Sequence, residues 1–181
     1  AALSGVIWAG AKLFKSGGKA PAAPVEAAPP TPEVPPPAVA LEVLENVQEQ
    51  IIPDQFVVPG STVIKAGEDG FLAFAPDATG AGLLISRSTL KESAQGKGVG
   101  QELLLKAAEL AQKKGLPLHS DDSVTVAQLR VYEALKRKGK IDFEYANPAA
   151  VKEALEGGIR TQPVKGRGHS VVTNIRLVSS P

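Results

Sequence analysis

The chain of 181 residues has no cysteine, no methionine and only two histidines, and its formal charge is +1. Without cysteine there is no disulfide, no thiolate nucleophile and no cysteine-ligated metal. His119 and His169 lie far apart in sequence and make a poor case for a metal site, so none is expected. A charge so near zero argues against a dominant electrostatic partner, and no nucleic acid is indicated. Methionine is missing even at position 1, which leads us to expect a piece of a longer precursor or polyprotein, or a processed product. The apolar stretch of residues 1–11 falls short of the roughly 20 residues that cross a bilayer. What is present is a hydrophobic content of 43%, enough for the core of one domain of moderate size with extensions.

Three zones separate by composition. Residues 1–19 form an apolar and basic leader, with Lys12, Lys15 and Lys19 after the apolar run. In a secretory signal the charges precede that run, so this order does not fit one. A docking or membrane-active helix and an ordinary packed helix both remain open for it. Residues 20–37 are rich in proline and alanine, the composition of a semi-rigid polyproline spacer, about 3.1 Å per residue when extended. A Pro-x-x-Pro spacing occurs there without a flanking arginine, which favours spacer over peptide ligand. Residues 38–181 are expected to fold as one domain.

Within that domain, Val39, Leu41, Val43, Leu44 and Val47 fit a short helix over residues 39–50, ended by Pro53. The runs Phe56-Val57-Val58, Thr62-Val63-Ile64-Lys65 and Phe71-Leu72-Ala73-Phe74, divided by Pro-Gly and Glu-Asp-Gly turns, predict antiparallel strands. Gly82-Leu83-Leu84-Ile85-Ser86 predicts another strand, and residues 98–114 a helix stopped by Gly115. A short strand over Leu116-Pro117-Leu118-His119-Ser120 follows, then a helix over residues 123–138 with Val126, Leu129, Tyr132, Ala134 and Leu135 inward. Strands at Ile141-Asp142-Phe143-Glu144-Tyr145 and at residues 170–177 close the domain.

The most informative stretch is Gln95-Gly96-Lys97-Gly98-Val99-Gly100, running directly into an amphipathic helix. Glycines let the backbone approach a ligand, and the free N–H groups of a helix start carry the positive end of its dipole. That combination holds phosphate or pyrophosphate, and Lys97 adds a cation at its mouth. A surface loop capping an ordinary helix is the plainer alternative.

This turn and the order of elements around it resemble the GNAT superfamily of acyl-CoA N-acyltransferases. The family's phosphate turn reads Gln/Arg-x-x-Gly-x-Gly/Ala at a helix start, and Gln95, Gly98 and Gly100 fill its three places. The resemblance implies an α/β fold, a mixed and mainly antiparallel sheet flanked by helices. It also implies that backbone amides from Gln95, Gly96, Lys97, Gly98, Val99 and Gly100 hold the pyrophosphate of acetyl-CoA. Leu116 to Ser120 would be the family's splayed strand, and Tyr132-Glu133-Ala134-Leu135 resembles its tyrosine-bearing helix. Tyr132 would then be the acid that protonates the departing thiolate. The likeness is close from Gly82 to about Tyr145 and architectural elsewhere.

The departures bear on function. The family's asparagine early in the second helix has no counterpart in Ser123-Val124-Thr125-Val126, and Lys136-Arg137-Lys138 stands where Gly-Phe usually follows. The strand over Leu83 to Ser88 carries no Glu or Asp to deprotonate an amine, and Glu92 lies in the loop beyond it. The early helices that shape the acceptor pocket are reduced to about one. Residues 115–121 and 130–135 also look like segments of large phage virion-associated proteins. That second resemblance implies a location in a phage virion or host cytoplasm, and virion proteins as partners of the leader.

His119-Ser120-Asp121 is not a hydrolytic triad, because neighbours on a strand point to opposite faces. Asp121 or Ser123 suits a helix N-cap instead. His169, in Lys165-Gly166-Arg167-Gly168-His169, belongs to a basic loop expected to be solvated. The sequence thus leads to a GNAT-like N-acetyltransferase with acetyl-CoA as donor and an unidentified amine as acceptor. The alternative is a catalytically silent module of a phage virion protein.

Overall fold

A computed structural model describes residues 39–48, 57–157 and 170–178. The leader, the proline-rich spacer, Phe56 and the basic loop Lys165 to His169 lie outside the described residues. Four strands come first: β1 Glu42–Val47, β2 Ser61–Ala66, β3 Gly70–Pro76 and β4 Leu83–Leu90. A single 3-10 turn, Glu92–Ala94, leads into helix α1, Val99–Lys114. Then follow β5 Leu118–His119, α2 Val126–Arg137, β6 Ile141–Tyr145, α3 Pro148–Gly157 and β7 Val172–Leu177. The strands form one seven-stranded sheet in the order β1-β2-β3-β4-β5-β7-β6. Every pairing is antiparallel except β4 with β5. A parallel pair needs a crossover, and α1 supplies it. This is the mixed, mainly antiparallel α/β architecture that the sequence leads one to expect.

The helix expected over residues 39–50 is instead the edge strand β1. Its apolar residues satisfy both periods, since Leu41, Val43 and Val47 also stand at even spacing. The free edge of β2 decides between them: Glu42, Val43 and Leu44 lie opposite Lys65, Ile64 and Val63. β-branched Val43 and Val47 suit the strand as well. A register shift between Leu44 and Val47 accommodates Asn46, whose φ of 53° is tolerable for asparagine. Val57 and Val58 are not in a strand; they precede the turn that opens β2, and Val58 is exposed.

Residues directly opposite one another in a ladder share a face. Ile64, Leu72 and Phe74 with Ile85 therefore line the face that α1 covers with Leu103, Leu104, Ala107, Ala108 and Ala111. The alanines bring that helix close to the sheet, and all five of these α1 residues are buried. Each fully buried leucine or phenylalanine here contributes about 1.5–3 kcal/mol. Gly115 ends α1 in the left-handed region at φ 67°, its N–H reaching Ala111 and Gln112 carbonyls. Lys113 and Lys114 lie in the last turn, where the dipole favours cations.

Helix α2 starts three residues later than expected, at its first inward apolar residue Val126, because Thr125 is its cap. The Thr125 hydroxyl accepts from the Gln128 N–H while Gln128 Oε1 accepts from the Thr125 N–H, a complete capping box. The expected caps, Asp121 and Ser123, do not fill that role. α3 is an additional helix between β6 and β7. Its signal is Asn147-Pro148: the Asn147 side chain accepts from the Ala150 N–H at 3.2 Å, and proline is suited to the first helical position.

Candidate functional site

The glycine turn is held from below and open above. Ala94 is buried at 2% exposure and anchors it, while the Ala94 and Gln95 N–H groups bond back to the Lys91 and Glu92 carbonyls at 3.0 and 3.1 Å. Gly96 and Gly98 have φ of 76° and 84°, the left-handed region that disfavours a side chain. A Cβ placed on either would meet no heavy atom within 4 Å, so the backbone there faces open space. Gly98 caps α1 without any side-chain bond, and its carbonyl takes the N–H groups of Gln101 and Glu102. Val99 and Gly100, the first two helical residues, have no intrahelical acceptor for their N–H groups. Gln95 and Lys97 are exposed.

Gly100 lies in the first turn of α1, inside the helix expected over residues 98–114. A Cβ there would stand 3.0 Å from Leu90 Cδ1 and 3.8 Å from Val131 Cγ2. The missing side chain thus lets the first turn of α1 pack against the end of β4 and against α2.

Beside the turn the sheet opens. β4 and β5 pair only at Leu83 with Leu118 and Leu84 with His119. Ser120 then turns to β7: its N–H reaches the Val172 carbonyl at 2.8 Å, and its hydroxyl accepts from the Val172 N–H at 2.9 Å. β4 meanwhile runs on to Leu90, paired with β3. The expected splayed strand is therefore two residues long. Between Arg87 opposite Ala73 and Ile85 opposite Phe74 the register shifts, leaving Ser86 as an extra residue at the mouth of the fork.

Tyr132 lies on α2 and is 5% exposed. Its ring meets Phe143 edge-on, with centroids 5.9 Å apart. Burial, and then the negative charge of Asp121, push the phenol well above its ordinary value, so it keeps its proton. At the wide end of the fork Gln128 Nε2 donates to Ser88 Oγ. Sequence reading does not reach this bond between residues forty apart, although the Thr-x-x-Gln spacing signals the capping box that holds Gln128.

The structure does not bring the remaining candidates into one site. His119 Nδ1 accepts the Asn174 N–H at 3.3 Å, joining β5 to β7. Ser120, 1% exposed, also donates its hydroxyl to the Asp121 carbonyl, so His119-Ser120-Asp121 is structural. Glu92 is exposed in the 3-10 turn, and β4 carries no carboxylate. Asp142 is held by Lys136 at 3.0 Å and Arg176 at 2.7 Å, which lower its pKa to about 2. A groove of about 480 Å³ lies at the C-terminal end of α1, lined by Gln112, Leu116, Pro117, Asn174 and Arg176, away from the glycine turn. Among the described residues there is no group of three or more His, Asp or Glu able to hold a metal ion. No helix there is long and apolar enough to cross a membrane.

No protein-family model matches the chain, and no curated protein does. Solved structures do. An IAA acetyltransferase from Bacillus cereus ATCC 14579 is 20% identical, with a TM-score of 0.44, over 76% of this chain and 99% of that one. A nourseothricin acetyltransferase is 18% identical, with a TM-score of 0.39, over 66% of this chain; the match spans 65% of that protein's length. A Bacillus subtilis acetyltransferase in complex with CoA is 20% identical, with a TM-score of 0.38, over 65% of this chain and 73% of its own.

Proposed function

We propose that the domain binds acetyl-CoA and transfers its acetyl group to an amine. The observation that carries this reading is the open glycine turn at the start of α1, set beside a fork between β4 and β5. A turn alone suits any phosphate; a turn beside a strand fork suits a phosphate with a long arm ending in a reactive thioester.

In this reading the backbone amides of Gly96, Gly98, Val99 and Gly100 hold the pyrophosphate, and Lys97 contributes a cation. The N–H groups of Gln95 and Lys97 bond instead to the Glu92 and Ala94 carbonyls. A backbone amide at the Ser86 bulge polarises the thioester carbonyl. The amine lone pair forms a C–N bond to that carbonyl carbon. The C–S bond then breaks, its electron pair leaves on sulfur, and the Tyr132 phenol gives the thiolate its proton. Water takes the surplus proton of the amine and restores that of Tyr132.

A specific observation favours a second reading: β4 offers no carboxylate to deprotonate an amine. A silent GNAT-like module, such as one in a phage virion protein, would keep the turn without turnover. Calorimetric titration of the full chain with acetyl-CoA, followed by thiol release over a panel of amines, separates the two. Binding with turnover supports transfer, binding without turnover supports the silent module, and no heat at millimolar acetyl-CoA rejects both as cofactor-binding proteins. Gly98→Asp is expected to abolish binding, since its charge opposes the phosphates. Aspartate tolerates the left-handed region better than most residues, so the fold should survive.

A further inference from the structure

We infer that Ser88 and Gln128 are positioning residues whose hydrogen bond fastens α2 to β4 across the open end of the fork and so fixes Tyr132. This inference rests on the acyl-transfer reading for its functional meaning, and on geometry for its content.

Ser88 stands directly opposite Leu72, a buried residue of the face that α1 covers, so its side chain projects toward the helices. It lies four residues beyond Leu84, where β4 and β5 last pair, or about 13 Å along the strand at 3.3 Å per residue. By that point β5 has turned away to β7. The chain returns to β4 through the first turn of α2, where Gln128 donates to Ser88.

The Gln128 side chain is aimed by its own helix. Its Oε1 accepts the Thr125 N–H at 3.1 Å and the Thr125 hydroxyl at 3.2 Å, which leaves the Nε2 group to face Ser88. Three residues on, Val131 packs toward Gly100, which Leu90 also approaches. Four residues on is Tyr132, on the same face of α2 as Gln128. The polar contact thus ties this turn of α2 to β4, Val131 packs it toward the first turn of α1, and Phe143 meets the Tyr132 ring edge-on. A proton donor must lie within hydrogen-bond reach of the leaving sulfur, and a displacement of about 1 Å in such a group costs on the order of a hundredfold in rate.

Ser88→Ala removes this bond and leaves the capping box whole. The test is fluorine NMR of the full chain labelled with 3-fluorotyrosine in a Tyr145→Phe background, where Tyr132 is the one remaining tyrosine. The expected result is a single resonance that shifts or broadens in Ser88→Ala and returns in Ser88→Thr, which keeps the hydroxyl. Calorimetry on the same proteins should give an acetyl-CoA affinity changed less than threefold, because the glycine turn is untouched. A Tyr132 resonance unmoved by Ser88→Ala would overturn the inference. If Ser88→Ala does not fold, Gln128→Met, close in length and without either bond, must displace the same resonance. Failure of the wild type to bind acetyl-CoA would reject the transfer reading alone, since the resonance still reports whether the bond positions Tyr132.

Discussion

Gly98 and Gly100 look alike in the sequence and differ in what the fold asks of them. Gly98 needs its positive φ, and Ala in that region costs about 1–2 kcal/mol. Gly100 has helical backbone, and an alanine there would press on the tip of Leu90 while gaining about 1 kcal/mol of helix propensity. Chemical denaturation should therefore show Gly98→Ala destabilised by roughly 1 kcal/mol and Gly100→Ala near neutral. Tyr132→Phe, on the transfer reading, should leave the acetyl-CoA dissociation constant unchanged and lower thiol release by about tenfold to a hundredfold. Asp142 gives a pH signature. Lys136 and Arg176 hold its carboxyl near 2, below the unfolded value of about 3.9, so its contribution is full above that value. Asp142→Asn should thus lower the melting temperature at pH 7, and its difference from wild type should vanish as pH falls toward 2. At this scale the turn conformation of Gly96 and Gly98 and the burial of Tyr132 were legible because each follows from local spacing. Ser88, Gln128 and the bulge at Ser86 were not, because each acquires meaning only from a partner strand or helix.

At the scale of elements, local signals succeed where one period or one cap is unambiguous. Leu103, Leu104, Ala107, Ala108 and Ala111 repeat every three to four residues and end at Gly115, and α1 follows them. β6 likewise matches its alternation from Ile141 to Tyr145. β1 fails as a helix because its apolar positions serve either period, and the free edge of β2 settles the matter from outside the segment. α3 buries only Val151 and Ala154 among its apolar residues, a stripe too thin to stand out beside the Asn147-Pro148 cap. The capping box offers a direct check. Thr125→Ala removes the bond to the Gln128 N–H and should cost about 1 kcal/mol in chemical denaturation, with amide exchange quickened in the first turn of α2. An unchanged midpoint would mean that tertiary packing alone holds this helix end.

For the whole molecule, the order of strands and helices carried the architecture. Four early strands, a crossover helix and late antiparallel strands leave few ways to close one sheet. The fork was legible only as an expectation, since its two-residue pairing depends on β7 drawing Ser120 away from β4. The acceptor was not legible at all, because β4 holds no carboxylate to mark where an amine would bind. The central claim is that the backbone of the glycine turn holds the cofactor. Hydrogen exchange on the full chain, with and without saturating acetyl-CoA, tests it most directly. Slowed exchange is expected at the amides of Gly96, Gly98, Val99 and Gly100. Slowing confined to the groove by Gln112 and Arg176, or absent throughout, would contradict it.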